Sequence, residues 1–376
     1  MKNFFTSIRL ILFFLFVILI SVDLERESVH ISEDSVEELR VRNFADFEEV
    51  IDNWDRTNVS SLIQINNEAD VLSKRNDLIE YIWKDEFPDS WFSEINENVV
   101  DGSYEGIESL EKIAAFLVIM ENQVSNVAYH FKAHDSNGDL IIYVQGHKGD
   151  FYWGRETIKF FLDNNYDVLA FSMPLMGVGN DNEYVSATTG FGSLLLADHN
   201  AFFYLETQEF SPIKYYVHPI AVALNYLAED YDTIAMTGIS GGGWTTTLYS
   251  ALDPRIDKSY PVSGSHPLYL YTNNLRMDLS LGGDYEYFVK DLYEISNFLE
   301  LYILGSYGEG RNQVQILNEF DDCCYAGNGY LTYEEIVSSK VSLLGLGKFE
   351  VFSDTSHQNH NISSTALQVI LEDLNK

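Results

Sequence analysis

The clearest chemical pattern in the sequence surrounds Ser240. The segment Asp232–Thr237 is predicted to be a strand, and the pattern Gly-x-Ser-x-Gly follows it from Gly238 to Gly242. A helix is predicted soon after, from Trp244 to Leu252. A sharp strand-to-helix turn exposes the serine hydroxyl at a helix N-terminus, and larger residues two positions before or after it would clash. The helix dipole and free N–H groups favour the negative charge of acyl transfer. Ser240 is therefore predicted to be a nucleophile; the alternative is a glycine-rich turn without chemistry.

Strands and helices alternate along the chain from about residue 107 onwards. The predicted strands are Asp167–Met173, Asp232–Thr237, Ser259–Ser263, Val314–Asn318 and Phe349–Ser353. The predicted helices are Trp153–Leu162, Ile213–Ala228, Trp244–Leu252, Tyr333–Leu344 and Ser363–Leu374. This alternation is typical of a parallel sheet with helices on both faces. Ligands of such sheets bind at the carboxyl ends of the strands, which is where Ser240 would lie.

The beginning of the sheet has a different pattern. Ile113–Met120, Val124–Ala133 and Leu140–Gln145 are predicted strands joined by short turns, one of which contains Asn137-Gly138. We therefore expect three antiparallel strands at this point. Two later connections, residues 176–212 and 266–311, are long, and such segments usually carry function or helices of their own.

Together these patterns resemble the α/β-hydrolase superfamily, in particular its serine esterase and deacetylase-like branch, over roughly residues 107–376. The resemblance implies an α/β-hydrolase fold with a mostly parallel central sheet, helices on both faces and, here, a helical N-terminal extension. It also implies an oxyanion hole formed by the backbone N–H of Gly241 and one near His147, in the turn Gln145-Gly146-His147. The family often has histidine where this chain has Gln145.

The resemblance further implies that an acid and then a histidine follow the serine in the chain. A predicted strand over residues 313–318 leads into several carboxylates. Asp321 is the preferred acid, Asp322 is the second choice, and Glu319 is disfavoured because it still lies at the strand end. An acid at the carboxyl end of a strand would reach the same edge of the sheet as Ser240.

Two histidines follow the last predicted strand, three positions apart. His357 lies at the usual distance from the strand end. His360 is preferred because the residues that follow it are similar to the opening of the final helix in esterase members, with Ser363 as its N-cap. A metal pair formed by both histidines and Asp354 is the alternative, but no further ligands are apparent, and we expect no metal.

These residues predict hydrolysis of a carboxylic ester or thioester through an acyl-enzyme, with His360 or His357 as base and Asp321 orienting it. No cofactor is required, and the expected partner is a small-molecule ester. A serine peptidase of the same fold is one alternative, although the segment before residue 107 is too short for a propeller domain. A non-catalytic binding protein is another, and substitution of Ser240 would leave its binding intact.

The net charge of −35 excludes nucleic acid as a favourable partner, since phosphates would be repelled. The only cysteines, Cys323 and Cys324, are adjacent and cannot form a loop-closing disulfide framework. A metal pair or a redox switch remains open for them.

The N-terminus carries Lys2 and Arg9 before an apolar run over residues 10–20. This order predicts a secretory signal or an uncleaved membrane anchor over residues 1–22, and an exported, periplasmic or extracellular body. Membrane attachment is expected only through this segment. Residues 23–105 are predicted to be an acidic, mainly helical extension, and residues 106–376 the catalytic domain.

Overall fold

A nine-stranded sheet runs through the residues that the computed structural model describes, which are 57–89, 91–147, 149–177, 185–271 and 284–376. They belong to one unit that begins at Val50. The strands of this sheet are β1 (Glu94–Asn96), β2 (Leu110–Ile119), β3 (Ser125–Ala133), β4 (Asp139–Val144), β5 (Asp167–Phe171), β8 (Thr233–Ile239), β9 (Lys258–Val262), β10 (Asn312–Asn318) and β11 (Lys348–Asp354). Two further strands, β6 (Val185–Thr189) and β7 (Gly192–Leu196), form a separate hairpin. The helices are α1 (Glu68–Trp83), α2 (Arg155–Asp163), α3 (Lys214–Leu227), α4 (Gly241–Leu252), α5 (Leu268–Tyr271), α6 (Lys290–Ile295), α7 (Phe298–Ser306), α8 (Glu334–Leu344) and α9 (Ser364–Leu374).

The sheet is mostly parallel, as predicted. Its order is β1-β2-β3-β5-β4-β8-β9-β10-β11. The last six strands in this order, β5, β4, β8, β9, β10 and β11, run in one direction. The expectation of three consecutive antiparallel strands was wrong for the third. β3 pairs with β5, and β4 lies one position further in, between β5 and β8. Leu140–Val144 are all buried, which suits an interior strand covered on both faces and not an edge.

Helices cover both faces of the sheet and enclose two apolar layers. Leu140, Ile142 and Val144 of β4 pack into the layer that contains α3, α4 and α7. Ile141 and Tyr143 point the other way, into the layer that contains α2 and α9. This alternation follows from the two-residue period of a strand, and it confirms the predicted three-layer arrangement.

The described part of the N-terminal extension contains α1 but also a strand. Arg75 of α1 donates hydrogen bonds to the carbonyls of Ala251 and Leu304, at the ends of α4 and α7, and so ties the extension to the main layers. β1 adds to the sheet edge beside β2, which the helical prediction missed. All three residues of β1 are exposed, so no alternation of apolar residues could reveal it.

The two long connections carry elements of their own, as expected. Residues 176–212 contain the β6–β7 hairpin and a short 3₁₀ helix, His199–Tyr204. Residues 266–311 contain α5, α6, α7 and the 3₁₀ turn Tyr285–Tyr287. Within the described ranges no helix is long and apolar enough to cross a membrane. The predicted signal or anchor, residues 1–22, lies outside those ranges.

Candidate active site

Ser240 occupies a tight turn between β8 and α4. Its backbone has φ +58° and ψ −123°, a conformation that non-glycine residues seldom adopt. A Cβ on Gly238 would lie 2.5 Å from the Gly242 carbonyl, and one on Gly242 would lie 2.0 Å from the Val144 carbonyl oxygen. Both glycines are therefore required by close backbone approach, as the sequence pattern predicts. The helix begins at Gly241, three residues earlier than expected, so Ser240 is its N-cap residue.

A cavity of about 610 Å³ opens at the carboxyl ends of β4 and β8, where the strand order reverses. Ser240 lines it and is half-buried. The other lining residues are Tyr143, Gln145, Gly146, His147, Trp153, Gly154, Glu156, Thr157, Ile239, Asp284, Cys323, Cys324, His360, Asn361 and Ile362.

Asp321 and His360 form a close pair beside this cavity. His360 Nδ1 lies 2.7 Å from Asp321 Oδ2, and the aspartate side chain is fully buried. The carboxylate also accepts hydrogen bonds from the side chain of Asn318 and from the backbone N–H groups of Cys323 and Cys324. These donors fix the carboxylate, which in turn holds the imidazole with its other nitrogen free of any hydrogen bond to the described residues.

The second-choice residues occupy other positions. Asp322 is exposed, and its backbone N–H donates to the carbonyl of Gln358. His357 Nε2 lies 3.4 Å from Asp354 Oδ2, and neither residue lines the cavity. The structure therefore places His360, held by Asp321, at the cavity of Ser240, whereas Asp322 and His357 do not line it. The catalytic roles of Asp321 and His360 remain predictions.

The two predicted oxyanion residues lie next to each other and flank Ser240. A Cβ on Gly241 would lie 2.4 Å from the ring of His147, and one on Gly146 would lie 2.8 Å from Ser240 Cβ. The turn after β4 thus packs so closely against the start of α4 that neither glycine position has room for a side chain. Gln145 is buried, and its side-chain oxygen accepts a hydrogen bond from Tyr143.

No family model and no curated protein matches the sequence, but solved structures do. A candidate acetyl xylan esterase from Bacteroides fragilis superimposes with a TM-score of 0.60 over 92% of this chain and 97% of its own, at 13% identity. Acetyl xylan esterase 1 from Thermoanaerobacterium sp. gives 0.52 over 84% and 96%, at 12% identity. An acetyl xylan esterase from Paenibacillus sp. gives 0.50 over 85% and 99%, at 15% identity.

This chain has the α/β-hydrolase fold. The likeness extends over most of the chain, and Ser240, Asp321 and His360 lie in the connections that follow β8, β10 and β11. The resemblance stated from sequence is confirmed at the level of the fold.

Cys323 and Cys324 are bonded to each other as a vicinal disulfide. The sequence left a metal pair or a redox switch open for them, and the bond means that their sulfurs are not available as thiolate ligands. Both residues line the cavity, and both of their N–H groups hold the Asp321 carboxylate. The disulfide therefore lies at the candidate site, next to the Asp321–His360 pair.

Sequence reasoning missed a buried carboxylate behind the turn of His147. Glu286 Oε1 lies 2.6 Å from His147 Nε2, and Asp284 Oδ2 lies 3.8 Å from the same nitrogen. Burial alone would raise the pKa of Glu286, but the charge of His147 outweighs it and holds that pKa well below its usual range. Burial likewise opposes the charge on His147, and Glu286 nevertheless raises the pKa of His147. The long connection 266–311 was the only signal of function there.

Proposed function

We propose that this protein is a serine hydrolase that cleaves a carboxylic ester through an acyl-enzyme on Ser240. The observation that carries the proposal is the strained turn at Ser240, which opens into a cavity also lined by the Asp321-bound His360. The solved structures of similar fold that are named as acetyl xylan esterases support ester chemistry.

The proposed reaction uses the three side chains in sequence. His360 Nε2 takes the proton of Ser240 Oγ as that oxygen attacks the ester carbonyl, and Asp321 holds the imidazole by its Nδ1–H. The N–H groups of Gly241 and His147 would stabilise the oxyanion of the tetrahedral intermediate. His360 then returns the proton to the departing alcohol oxygen. Water repeats the sequence on the acyl-enzyme, which releases the acid and restores Ser240.

Rapid mixing with p-nitrophenyl esters of increasing acyl length tests this proposal. We expect a burst of about one nitrophenolate per chain followed by slower turnover, because acylation and deacylation are separate steps. A cavity of about 610 Å³ is within the usual size range of small-molecule sites, so the panel measures which acyl length is preferred. A folded protein that hydrolyses peptide amides but no ester would instead favour the peptidase alternative, and one that hydrolyses neither would favour a binding protein.

Replacing Asp321 with asparagine should lower kcat by roughly 10⁴-fold. The amide keeps the shape of the side chain, but it cannot hold His360 in the tautomer that accepts the proton of Ser240. The matched control is Asp322→Asn, which changes the exposed neighbour and should leave kcat within roughly twofold of wild type. Steady-state hydrolysis of one ester by the three proteins makes the comparison. Equal losses of kcat in both variants would contradict the assignment of Asp321 as the acid of the site.

Reducing the Cys323–Cys324 disulfide with a dithiol should lower kcat by roughly 10- to 100-fold. Each sulfur gains a hydrogen and the reagent forms its own disulfide. The ring that the disulfide closes between Cys323 and Cys324 therefore opens, and their two N–H groups are no longer held in place as donors to Asp321. The double variant Cys323→Ser, Cys324→Ser should show the same loss and no response to the reductant. Thiol titration counts the opened sulfurs. Full activity at two free thiols per chain would show that the ring does not position the acid.

We also propose that the body is exported and works outside the cytoplasm, held or released by its N-terminal segment. The vicinal disulfide supports this location, because disulfides persist in oxidising compartments. Fractionation of producing cells with an antibody to the body tests it, and recovery with cytoplasmic markers alone would contradict it.

A further inference from the structure

Two histidines and a glutamate converge behind the turn that follows β4. His199 and Glu286 are buried, at 3% and 0% exposure, while His147 keeps one fifth of its side chain exposed toward the cavity. One atom from each, His147 Nε2, His199 Nδ1 and a Glu286 carboxylate oxygen, forms a group whose members lie within 4.8 Å of one another. The three residues come from separate connections, after β4, before α3 and before α6.

These atoms lack the hydrogen bonds that buried polar atoms require. His147 Nε2, His199 Nδ1 and Glu286 Oε1 make no hydrogen bond to any residue in the described ranges. His147 Nε2 lies only 2.6 Å from Glu286 Oε1, but the pair lacks the alignment of an N–H···O bond. His199 Nδ1 lies 3.6 Å from the other carboxylate oxygen. His199 Nδ1 is thus left buried beside the His147–Glu286 pair without a hydrogen bond, a cost that a cation bound to all three side chains would remove.

Hydrogen bonds to neighbouring residues orient the side chains of His199 and Glu286 toward each other. His199 Nε2 lies 2.8 Å from the carbonyl oxygen of Pro174, which can only accept, so that nitrogen carries the proton. With that proton on Nε2, Nδ1 is the nitrogen of His199 that can bind a metal. Tyr216 donates to Glu286 Oε2 at 3.0 Å and leaves Oε1 unoccupied. Backbone carbonyls and hydroxyls commonly orient metal ligands in this way.

We propose that His147, His199 and Glu286 bind a divalent transition metal of the zinc class. Two imidazole nitrogens and one carboxylate oxygen are a ligand set that zinc accepts, with a fourth position left for water or another oxygen. Asp284 is the nearest further carboxylate, with Oδ2 at 3.8 Å from His147 Nε2. The group Cys323, Cys324 and His360 is excluded, because its sulfurs are bonded to each other and Asp321 holds the histidine.

Such a metal would join the turn that carries the His147 N–H to two otherwise separate segments. The proposal does not depend on ester hydrolysis, because its readout is binding of the metal alone. The competing explanation is a metal-free ion pair between His147 and Glu286.

The test is zinc binding by the full-length protein after treatment with a chelator and equilibrium dialysis, measured by elemental analysis. We expect about one Zn²⁺ per chain for wild type. His199→Gln and Glu286→Gln should each weaken binding at least tenfold. His357→Gln is the matched control, since His357 also lies beside a buried carboxylate, Asp354, but belongs to no such group of three candidate ligands in the part of the chain that the structure describes. It should bind zinc as wild type does.

Cobalt binding gives a second readout that needs no folded variant. Co²⁺ added to the metal-free wild type should produce the visible absorption of a four- or five-coordinate site with nitrogen ligands, and Zn²⁺ should displace it. Circular dichroism checks that each variant is folded. No zinc and no cobalt spectrum in wild type would overturn the proposal in favour of the ion pair. Unchanged zinc in folded His199→Gln would overturn it as well.

Discussion

Ser240→Ala should lower kcat for ester hydrolysis by roughly 10⁴- to 10⁶-fold. Alanine removes the oxygen that would form the acyl-enzyme, while His360 and Asp321 stay in place without a nucleophile. The remaining rate would come from binding and the oxyanion donors alone. Steady-state assays with the ester that wild type hydrolyses best measure the loss, and the burst of the first turnover should vanish.

The fold should survive this change, since the backbone turn is set by the glycines around Ser240 and alanine adds no atom. Thermal unfolding should therefore stay close to that of wild type. Ser193→Ala is the matched control, because Ser193 is an exposed serine of β7 outside the cavity. Wild-type activity in folded Ser240→Ala would remove the basis of the proposed function.

His360→Gln should lower kcat by a similar factor, roughly 10⁴- to 10⁶-fold. Glutamine is close in size and can still bond to Asp321, but it cannot accept and return a proton near neutral pH. Without that base, Ser240 would have to ionise unaided. The loss should appear in kcat more than in KM, because the imidazole acts on the proton in the transition state.

His357→Gln is the control for this second substitution and should keep activity within roughly tenfold of wild type. His357 faces Asp354 and does not line the cavity, although it lies only three residues away in the chain. A larger loss in His357→Gln than in His360→Gln would move the role of base to His357. Equal and small losses in both would contradict histidine catalysis altogether.

The nucleophile turn could be predicted because its requirements are local. Gly238 and Gly242 are needed because a Cβ at either position would lie closer to backbone atoms than van der Waals contact allows, and the strand and helix around them have strong apolar patterns. The strand ends that carry Asp321 and His360 follow from the same local patterns. The sequence favoured Asp321 over Asp322 as the acid but left both open. The two residues differ in burial, which depends on tertiary packing and cannot be read from local patterns.

Pairing over long distances was not predictable in the same way. The turn at Asn137-Gly138 suggested that β4 would pair with β3, but β5 lies between these two strands. The contact of His147, His199 and Glu286 joins three connections that are far apart in the sequence. Adjacent cysteines likewise gave no sign that their N–H groups would hold Asp321. Such features require the fold before they can be seen.

Labelling with a fluorophosphonate tests the proposed nucleophile most directly, because the reagent bonds only to an activated serine. The measurement is the mass of the intact protein, followed by mapping of the modified peptide, for wild type and Ser240→Ala. We predict one adduct per chain on Ser240 in wild type and none in the variant. A folded wild type without any adduct, or an adduct that persists in Ser240→Ala, would contradict an acyl-enzyme mechanism at Ser240.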